Sequence, residues 1–177
     1  EKNLEDYRFD EAAKNAYQFA WHSYCDWYLE LSKTILFSDN EEAKTEVRKV
    51  SSYVFKQILI LLHPFIPFVT EEIWLNNKFD KSGKDFLMHA NWPTGEINKD
   101  SSTEQVENII SIISEIRSFK NELNVSPGSF IDMSINNIND DQKDFINNNE
   151  IILKKLGRIN NILNDDLDKP AATMVVS

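Results

Sequence analysis

Residues 9–37 contain neither glycine nor proline, and no other feature constrains the fold of this chain as strongly. Apolar residues recur there every three or four positions, as on one face of an α-helix. At about 100° per residue they form a narrow stripe. The stripe contains Phe9, Ala13, Ala16, Ala20, Tyr24, Trp27 and Leu31, and it is widened on one flank by Tyr17, Trp21, Tyr28 and Ile35. The sequence predicts one long helix whose aromatic side chains belong to the core.

The same spacing predicts three further helices. The second runs from about Glu41 to Leu62, where His63-Pro64 ends or kinks it. Pro67 is expected to open a short third helix that ends at Trp74. Residues 78–99 are expected to form a loop over the surface. The fourth helix follows, capped by Ser101 or Ser102, and ends at the stretch "NVSPG".

Beyond the fourth helix the period of the sequence changes. Residues 130–135 alternate between apolar and polar, which is typical of a half-buried strand. Residues 140–157 predict a helix that their asparagines can interrupt, and residues 159–163 and 173–176 are candidate strands. We therefore expect a mainly α fold: a helical bundle over residues 1–124 and a small α+β appendage over residues 125–177.

Composition narrows the class of protein. The chain has 177 residues with a net charge of −10, whereas free nucleic-acid binders usually present a basic surface. Local patches can still hold phosphates. One cysteine excludes an intramolecular disulfide and fits a reducing cytosol. The sequence shows no leader and no apolar run of about 18 residues, so we expect neither secretion nor a membrane span. We also expect the chain to be a piece of a longer protein.

Motifs that would carry chemistry are weak. Four glycines make a phosphate-binding loop improbable. His22 and Asp26 lie one helical turn apart without further ligands, so no metal site is predicted. Cys25 is interpreted as buried packing, and Glu71-Glu72 as solvated first-turn carboxylates. We predict no catalytic residue in this chain.

Phe19 lies about 60° outside the predicted core stripe. Its neighbours on the same side of the helix, one to three turns away, are polar: Arg8, Asn15, His22 and Asp26. One interpretation is a boundary residue packed under another element. The other is a platform for an unpaired base, and such stacking is worth about 1–3 kcal/mol. A second polar stripe, formed by Arg117, Lys120, Asn121 and Asn124, is either a solvated helix face or a further RNA contact.

Three blocks resemble the anticodon-binding domain of the valyl-tRNA synthetases. They are "RFDEAAKNAYQFAWHSYCDWYLELSK" at residues 8–33, "LLHPFIPFVTEEIW" at residues 61–74 and "IRSFKNELNVSPG" at residues 116–128. The blocks occur in the family's order and span most of the chain.

The resemblance implies a helical bundle that grips the anticodon loop of tRNA-Val within a cytoplasmic, monomeric class I ligase. That ligase would join valine to tRNA with ATP and Mg²⁺. This chain lacks the "HIGH" and "KMSKS" signatures and the editing domain, so it is expected to need no cofactor and to work beside its own catalytic domain. The family's C-terminal coiled-coil arm would normally follow.

The resemblance also assigns roles to residues. In the family an aromatic of the first helix stacks on an anticodon base, and the matching residue here is Phe19. Arg8, Asn15 and Arg117 match family landmarks for tRNA binding, and Lys2 precedes the matched region. Trp27, Tyr28 and Trp74 are expected to serve packing. Two alternatives stay open: the anticodon domain of the sister isoleucyl enzyme, and a synthetase-derived scaffold that binds protein and has no RNA role.

Overall fold

The computed structural model describes residues 2–79, 86–94, 101–163 and 172–173. The chain forms two compact units, residues 1–97 and residues 98–177. The boundary near residue 124, inferred from the change in sequence period, stays a prediction. The predicted fold class, mainly α with a small α+β part, is confirmed.

The first unit is helical throughout its regular elements. They are α1 (Lys2–Glu5), α2 (Phe9–Gln18), a π-helical segment (Phe19–Tyr28), α3 (Leu29–Leu36), α4 (Glu41–Leu62), α5 (Pro67–Asn77) and a 3₁₀ turn (Leu87–His89). The bounds predicted for α4 are confirmed, and the Asn40 side chain caps it by accepting from Ala43 N–H at 3.0 Å. Pro67 opens α5 as predicted, and α5 continues past Trp74 to Asn77.

The predicted long first helix is continuous, but its middle is a π-helix. Hydrogen bonds there span five residues, as where Leu29 N–H donates to the Tyr24 carbonyl. Each residue then turns by less than the 100° of an α-helix, so a regular helical wheel loses its phase after Phe19. Trp21 is 53% exposed, and its assignment to the core is wrong. Cys25, interpreted as buried packing, is exposed as well.

The flank before the π-helical segment is also more open than predicted. Tyr17 is 55% exposed and Phe9 54%, since packing covers only the centre of the apolar stripe. Ile35, further along, is exposed too. The Tyr17 and Trp21 rings stack on each other, with centroids 6.2 Å apart and planes inclined by 11°. Aromatic content alone therefore overestimates how much of this helix is core.

The core of the first unit lies between α4, α5 and the segment after α5. Leu59, Ile60, Trp74 and Leu87 are buried together. Tyr24 joins them from the π-helical segment and stacks on Phe55 with a centroid distance of 6.2 Å. The loop expected on the surface thus supplies a core residue, Leu87. Residues 80–85 and 95–99 of that loop lie outside the described residues.

The turn between α4 and α5 is held by polar groups of the "HPFIPFVTEE" stretch. Thr70 is buried, and its hydroxyl donates to the Ile66 carbonyl at 2.9 Å. His63 Nδ1 lies 2.8 Å from the same hydroxyl oxygen, so the imidazole donates there. Glu71 Oε1 accepts from Leu87 N–H at 3.0 Å. Its interpretation as a solvated carboxylate is wrong, because it anchors the following segment to α5.

The second unit mixes helices with a small parallel sheet. Its elements are α6 (Ser101–Glu122), β1 (Ile131–Ser134), α7 (Asp140–Asn148), α8 (Glu150–Gly157) and β2 (Ile159–Leu163). Ile131 pairs with Ile159 and Ser134 with Leu163, with an irregularity between. Helices α7 and α8 form the crossover that parallel strands require.

Several predictions for this unit are confirmed. Strand β1 lies within residues 130–135, where the alternation predicted it, and β2 has the bounds of the candidate strand at residues 159–163. The helix between them is interrupted at Asn149. Buried residues of α6, α8 and β2 form its core: Ile109, Ile113, Ile116, Leu153, Leu156 and Ile159. The candidate strand at residues 173–176 falls largely outside the described residues.

Candidate nucleic-acid interface

Phe19 lies at the junction of α2 and the π-helical segment. Its N–H donates to the carbonyls of Asn15 and Ala16, so the backbone is helical on both sides. The residue is 43% exposed. This exposure leaves part of the ring surface accessible to a ligand while the rest is packed.

Polar side chains flank Phe19 along the same helical run. Asn15 is exposed one turn before it. His22 Nδ1 lies 3.1 Å from Asp26 Oδ2, and both side chains are largely exposed. Asp26 occupies Nδ1, so Nε2 is the ring atom that a ligand can address. The amide and the imidazole offer the donors and acceptors that reading a base edge requires.

Arg8 and Lys2 lie near the start of the first unit. Arg8 precedes the first residue of α2 and is exposed, and its N–H donates to the Asn3 carbonyl at 2.7 Å. Lys2 is exposed on α1. Both cations are free to reach solvent-borne phosphates, since long basic side chains extend well beyond the helix backbone.

Arg117 lies in the second unit, where it has a structural contact. Its Nη2 and Nε donate to the Leu156 carbonyl at 3.0 Å and 3.3 Å. Helix α8 ends one residue later, and the last carbonyls of a helix lack partners within it. A guanidinium at this position also suits the negative end of the helix dipole. Arg117 therefore stabilises the end of α8.

The predicted polar stripe around Arg117 is interrupted by Lys120. This side chain is buried, and its Nζ donates to the Ser129 carbonyl. Burial lowers the pKa of Lys120, and the positive charges of Arg158 and Arg117 lower it further. Interpreting Lys120 as part of a solvated or RNA-binding face is wrong. Asn121 and Asn124 are exposed, and Asn124 has a left-handed backbone with φ of 55°.

The exposed stack of Tyr17 and Trp21 was missed as a candidate surface. Sequence spacing predicted that both rings lie in the core. Trp21 is exposed instead, because it lies in the π-helical segment, where the spacing of an α-helix does not apply. With Phe19 they make the first helical run rich in accessible rings.

Among the described residues, no three His, Cys, Asp or Glu side chains converge as a metal site would require. None of the helices in the described ranges is both long and apolar enough to cross a bilayer.

The chain is similar to known proteins along its whole length. The family model described as the anticodon-binding domain of tRNA ligase matches residues 1–135. The valine–tRNA ligase of Pelagibacter ubique (strain HTCC1062) is 76% identical over 177 residues, which is all of this chain and 20% of that ligase. The valine–tRNA ligase of Legionella pneumophila (strain Lens) is 40% identical over 164 residues, 90% of this chain and 18% of that ligase.

A third relative, the valine–tRNA ligase of Rhizobium meliloti (strain 1021), is 38% identical over 162 residues, 90% of this chain and 17% of its own length. The chain thus spans about a fifth of the length of these curated relatives. The family match covers well over half of the chain and includes Phe19 and its polar neighbours. The chain therefore belongs to the family of anticodon-binding domains of tRNA ligases.

Proposed function

We propose that this chain is the anticodon-reading domain of a valine–tRNA ligase and that it binds the anticodon loop of tRNA-Val. The observation that carries the proposal is the 76% identity to a valine–tRNA ligase over all 177 residues. The whole ligase joins valine to tRNA-Val with ATP and Mg²⁺, in the cytoplasm and as a monomer. This chain contributes recognition, with its own catalytic domain as partner.

Phe19 is the proposed stacking platform. Bases of an anticodon loop can be splayed outward and stacked on aromatic side chains. A ring that is 43% exposed offers a surface for one base while its packed side keeps it oriented. In this proposal Asn15, one turn away, and the Nε2 atom of His22, on the same continuous helix, bond with base edges.

Arg8, Lys2 and Arg117 are proposed to contact the tRNA backbone. Phosphate contacts position an RNA without reading its sequence, and exposed cations suit that role. Arg117 carries five N–H donors, of which two point to the Leu156 carbonyl. In this proposal Arg117 both closes α8 and contacts the tRNA backbone.

The proposal is tested with the full-length ligase that contains this segment. We expect Phe19→Ala to weaken binding of tRNA-Val by about 5- to 150-fold, the equivalent of about 1–3 kcal/mol of stacking. Phe19→Tyr keeps the ring and should bind nearly normally. Phe68→Ala removes a ring that is 90% exposed on α5 and serves as the matched control.

Binding is titrated with tRNA-Val and with tRNA-Val carrying a swapped anticodon, and thermal unfolding checks that each variant is folded. The proposal requires that wild-type protein prefers the cognate anticodon and that Phe19→Ala loses much of this preference. Equal affinity of the wild-type ligase for both tRNAs would reject anticodon reading. An unchanged preference in a folded Phe19→Ala protein would reject Phe19 as the platform.

A further inference from the structure

One face of α4 combines basic, hydroxyl and aromatic side chains. Their spacing of three and four residues places them in a single row along the helix. The row contains Thr45, Arg48, Lys49, Ser52, Tyr53 and Lys56, and together with Phe79 it lines an open cavity of about 590 Å³. This surface, here named the α4 groove, lies entirely in the first unit and contains none of the residues assigned above to tRNA binding.

The α4 groove is basic within an acidic chain. The protein has 29 Asp and Glu residues and a net charge of −10, yet no acidic residue occurs between Glu46 and Glu71. At the start of α4, the Glu41 carboxylate accepts from Lys44 Nζ at 2.7 Å. That bond, the Lys44 charge and, more weakly, Arg48 lower the pKa of Glu41. Arg48, Lys49 and Lys56 thus concentrate positive charge along this part of α4.

The aromatic part of the groove is accessible. Tyr53 is 63% exposed, although it lies in the middle of a long helix. Lys56 Nζ lies 5.2 Å from the centroid of the Trp74 ring, a cation–π distance that orients the ammonium group. A second cavity of about 770 Å³ continues from Tyr53 and Lys56 towards Trp92. A row of cations therefore runs beside a line of rings.

We propose that the α4 groove binds the sugar–phosphate backbone of tRNA, with Arg48 and Lys49 on phosphates and Tyr53 stacked on an unpaired base. Grooves that bind single-stranded RNA combine a positive track with aromatic stacking surfaces. The six hydrogen-bonding side chains of the row include no carboxylate, which suits the binding of an anion. The inference rests on the proposed function and adds a second, sequence-independent contact to the Phe19 platform.

The salt dependence of binding tests the phosphate contacts. The full-length ligase is titrated with tRNA-Val between about 50 and 200 mM salt. Each phosphate contact to a single strand contributes about 0.7 to the slope of log K against log salt. We expect the double variant Arg48→Gln, Lys49→Gln to reduce the slope by about 1.4 and to weaken binding at low salt about tenfold or more.

A double variant of equal charge change is the matched control. Lys143→Gln with Lys155→Gln removes two exposed cations from α7 and α8 of the second unit. It should retain the wild-type slope. The ratio between the affinities for cognate and swapped anticodons should be unchanged in the groove variant, because phosphate contacts carry no sequence information.

Tyr53 is tested separately. Tyr53→Ala should weaken binding about 5- to 150-fold with little change in salt slope, whereas Tyr53→Phe keeps the stacking surface and should bind normally. Because the side chain is largely exposed, neither variant should change the thermal unfolding temperature by much.

The outcomes separate this inference from the proposed function. Anticodon-dependent binding together with a wild-type slope in the groove variant would overturn the inference alone. An equal slope loss in both double variants would overturn it too, because net charge would then explain the effect. A wild-type ligase that does not discriminate between anticodons would overturn the proposed function and this inference with it.

Discussion

At the scale of single residues, Tyr24 shows how one side chain connects the first helical run to α4. Its ring stacks on Phe55 and on Tyr28, and its hydroxyl lies 2.8 Å from Ser51 Oγ. Burial raises the pKa of the Tyr24 hydroxyl, while the Ser51 hydrogen bond acts in the opposite direction. The neutral phenol is therefore the form that the folded protein favours.

This shift predicts a loss of stability at alkaline pH. The pKa of unfolded tyrosine is about 10. Above it the unfolded chain releases the proton while the folded chain retains it, so the free energy of unfolding falls until the folded pKa is passed. At neutral pH the free energy of unfolding of Tyr24→Phe should be about 1 kcal/mol below that of the wild type, because the hydrogen bond is missing. This difference from the wild type should shrink above about pH 10. Urea unfolding across this range measures it, and a deficit independent of pH would contradict the prediction.

Contacts between residues that lie far apart in the sequence were not predictable from local spacing. The position of Phe19 outside the core stripe was predicted from helical spacing, and the 43% exposure of the residue agrees with it, because local spacing carries that information. The contact of Arg117 with the Leu156 carbonyl joins residues 39 positions apart. Burial of Lys120 likewise depends on the carbonyl of Ser129, which lies beyond the end of α6. No local pattern distinguishes cations with such long-range contacts from a solvated polar stripe.

At the scale of elements, helix bounds were more predictable than helix geometry. The limits of α4 follow from the Asn40 cap and from the His63-Pro64 stop, both of which are local signals. The π-helical segment from Phe19 to Tyr28 has no comparable signal in the sequence. π-helical turns occur frequently at functional sites. This segment begins at Phe19, the residue proposed to read the anticodon.

The turn into α5 allows a sharp test of a buried polar element. Thr70→Val keeps the shape of the side chain but removes the hydroxyl that bonds to Ile66 and His63. We expect a loss of about 1–3 kcal/mol, because a buried donor and acceptor lose their partner. Thr70→Ser keeps the hydroxyl and should cost less, about 1 kcal/mol for the lost methyl group. Chemical denaturation of both variants measures these changes in the free energy of unfolding. A larger decrease for Thr70→Ser than for Thr70→Val would show that packing of the methyl group matters more than the hydroxyl.

At the scale of the whole molecule, the net charge hides local differences between surfaces. The net charge is −10. The α4 groove, with its cations and rings, and the partly exposed ring of Phe19 both belong to the first unit. Net charge alone indicates weak attraction to nucleic acid. The contacts proposed for the α4 groove and for Phe19 therefore depend on local cations and rings and not on the net charge.

The division into two units predicts unfolding in two steps. Each unit has its own buried core, around Leu59 and Trp74 in the first and around Ile113 and Leu153 in the second. All four tryptophans precede residue 98, so tryptophan fluorescence reports on the first unit only. We expect the urea midpoint measured by tryptophan fluorescence to differ from the midpoint measured by far-UV circular dichroism, which follows helices in both units.

A reporter in the second unit completes this test. Phe130→Trp introduces a tryptophan at a site that is 51% exposed, near the Arg158 guanidinium that already lies 5.5 Å from the native ring. The fluorescence of this variant should show a second transition, from the second unit. Its urea midpoint should equal that of the circular-dichroism transition that wild-type fluorescence does not report. Coincident midpoints for all probes would instead indicate one cooperative transition.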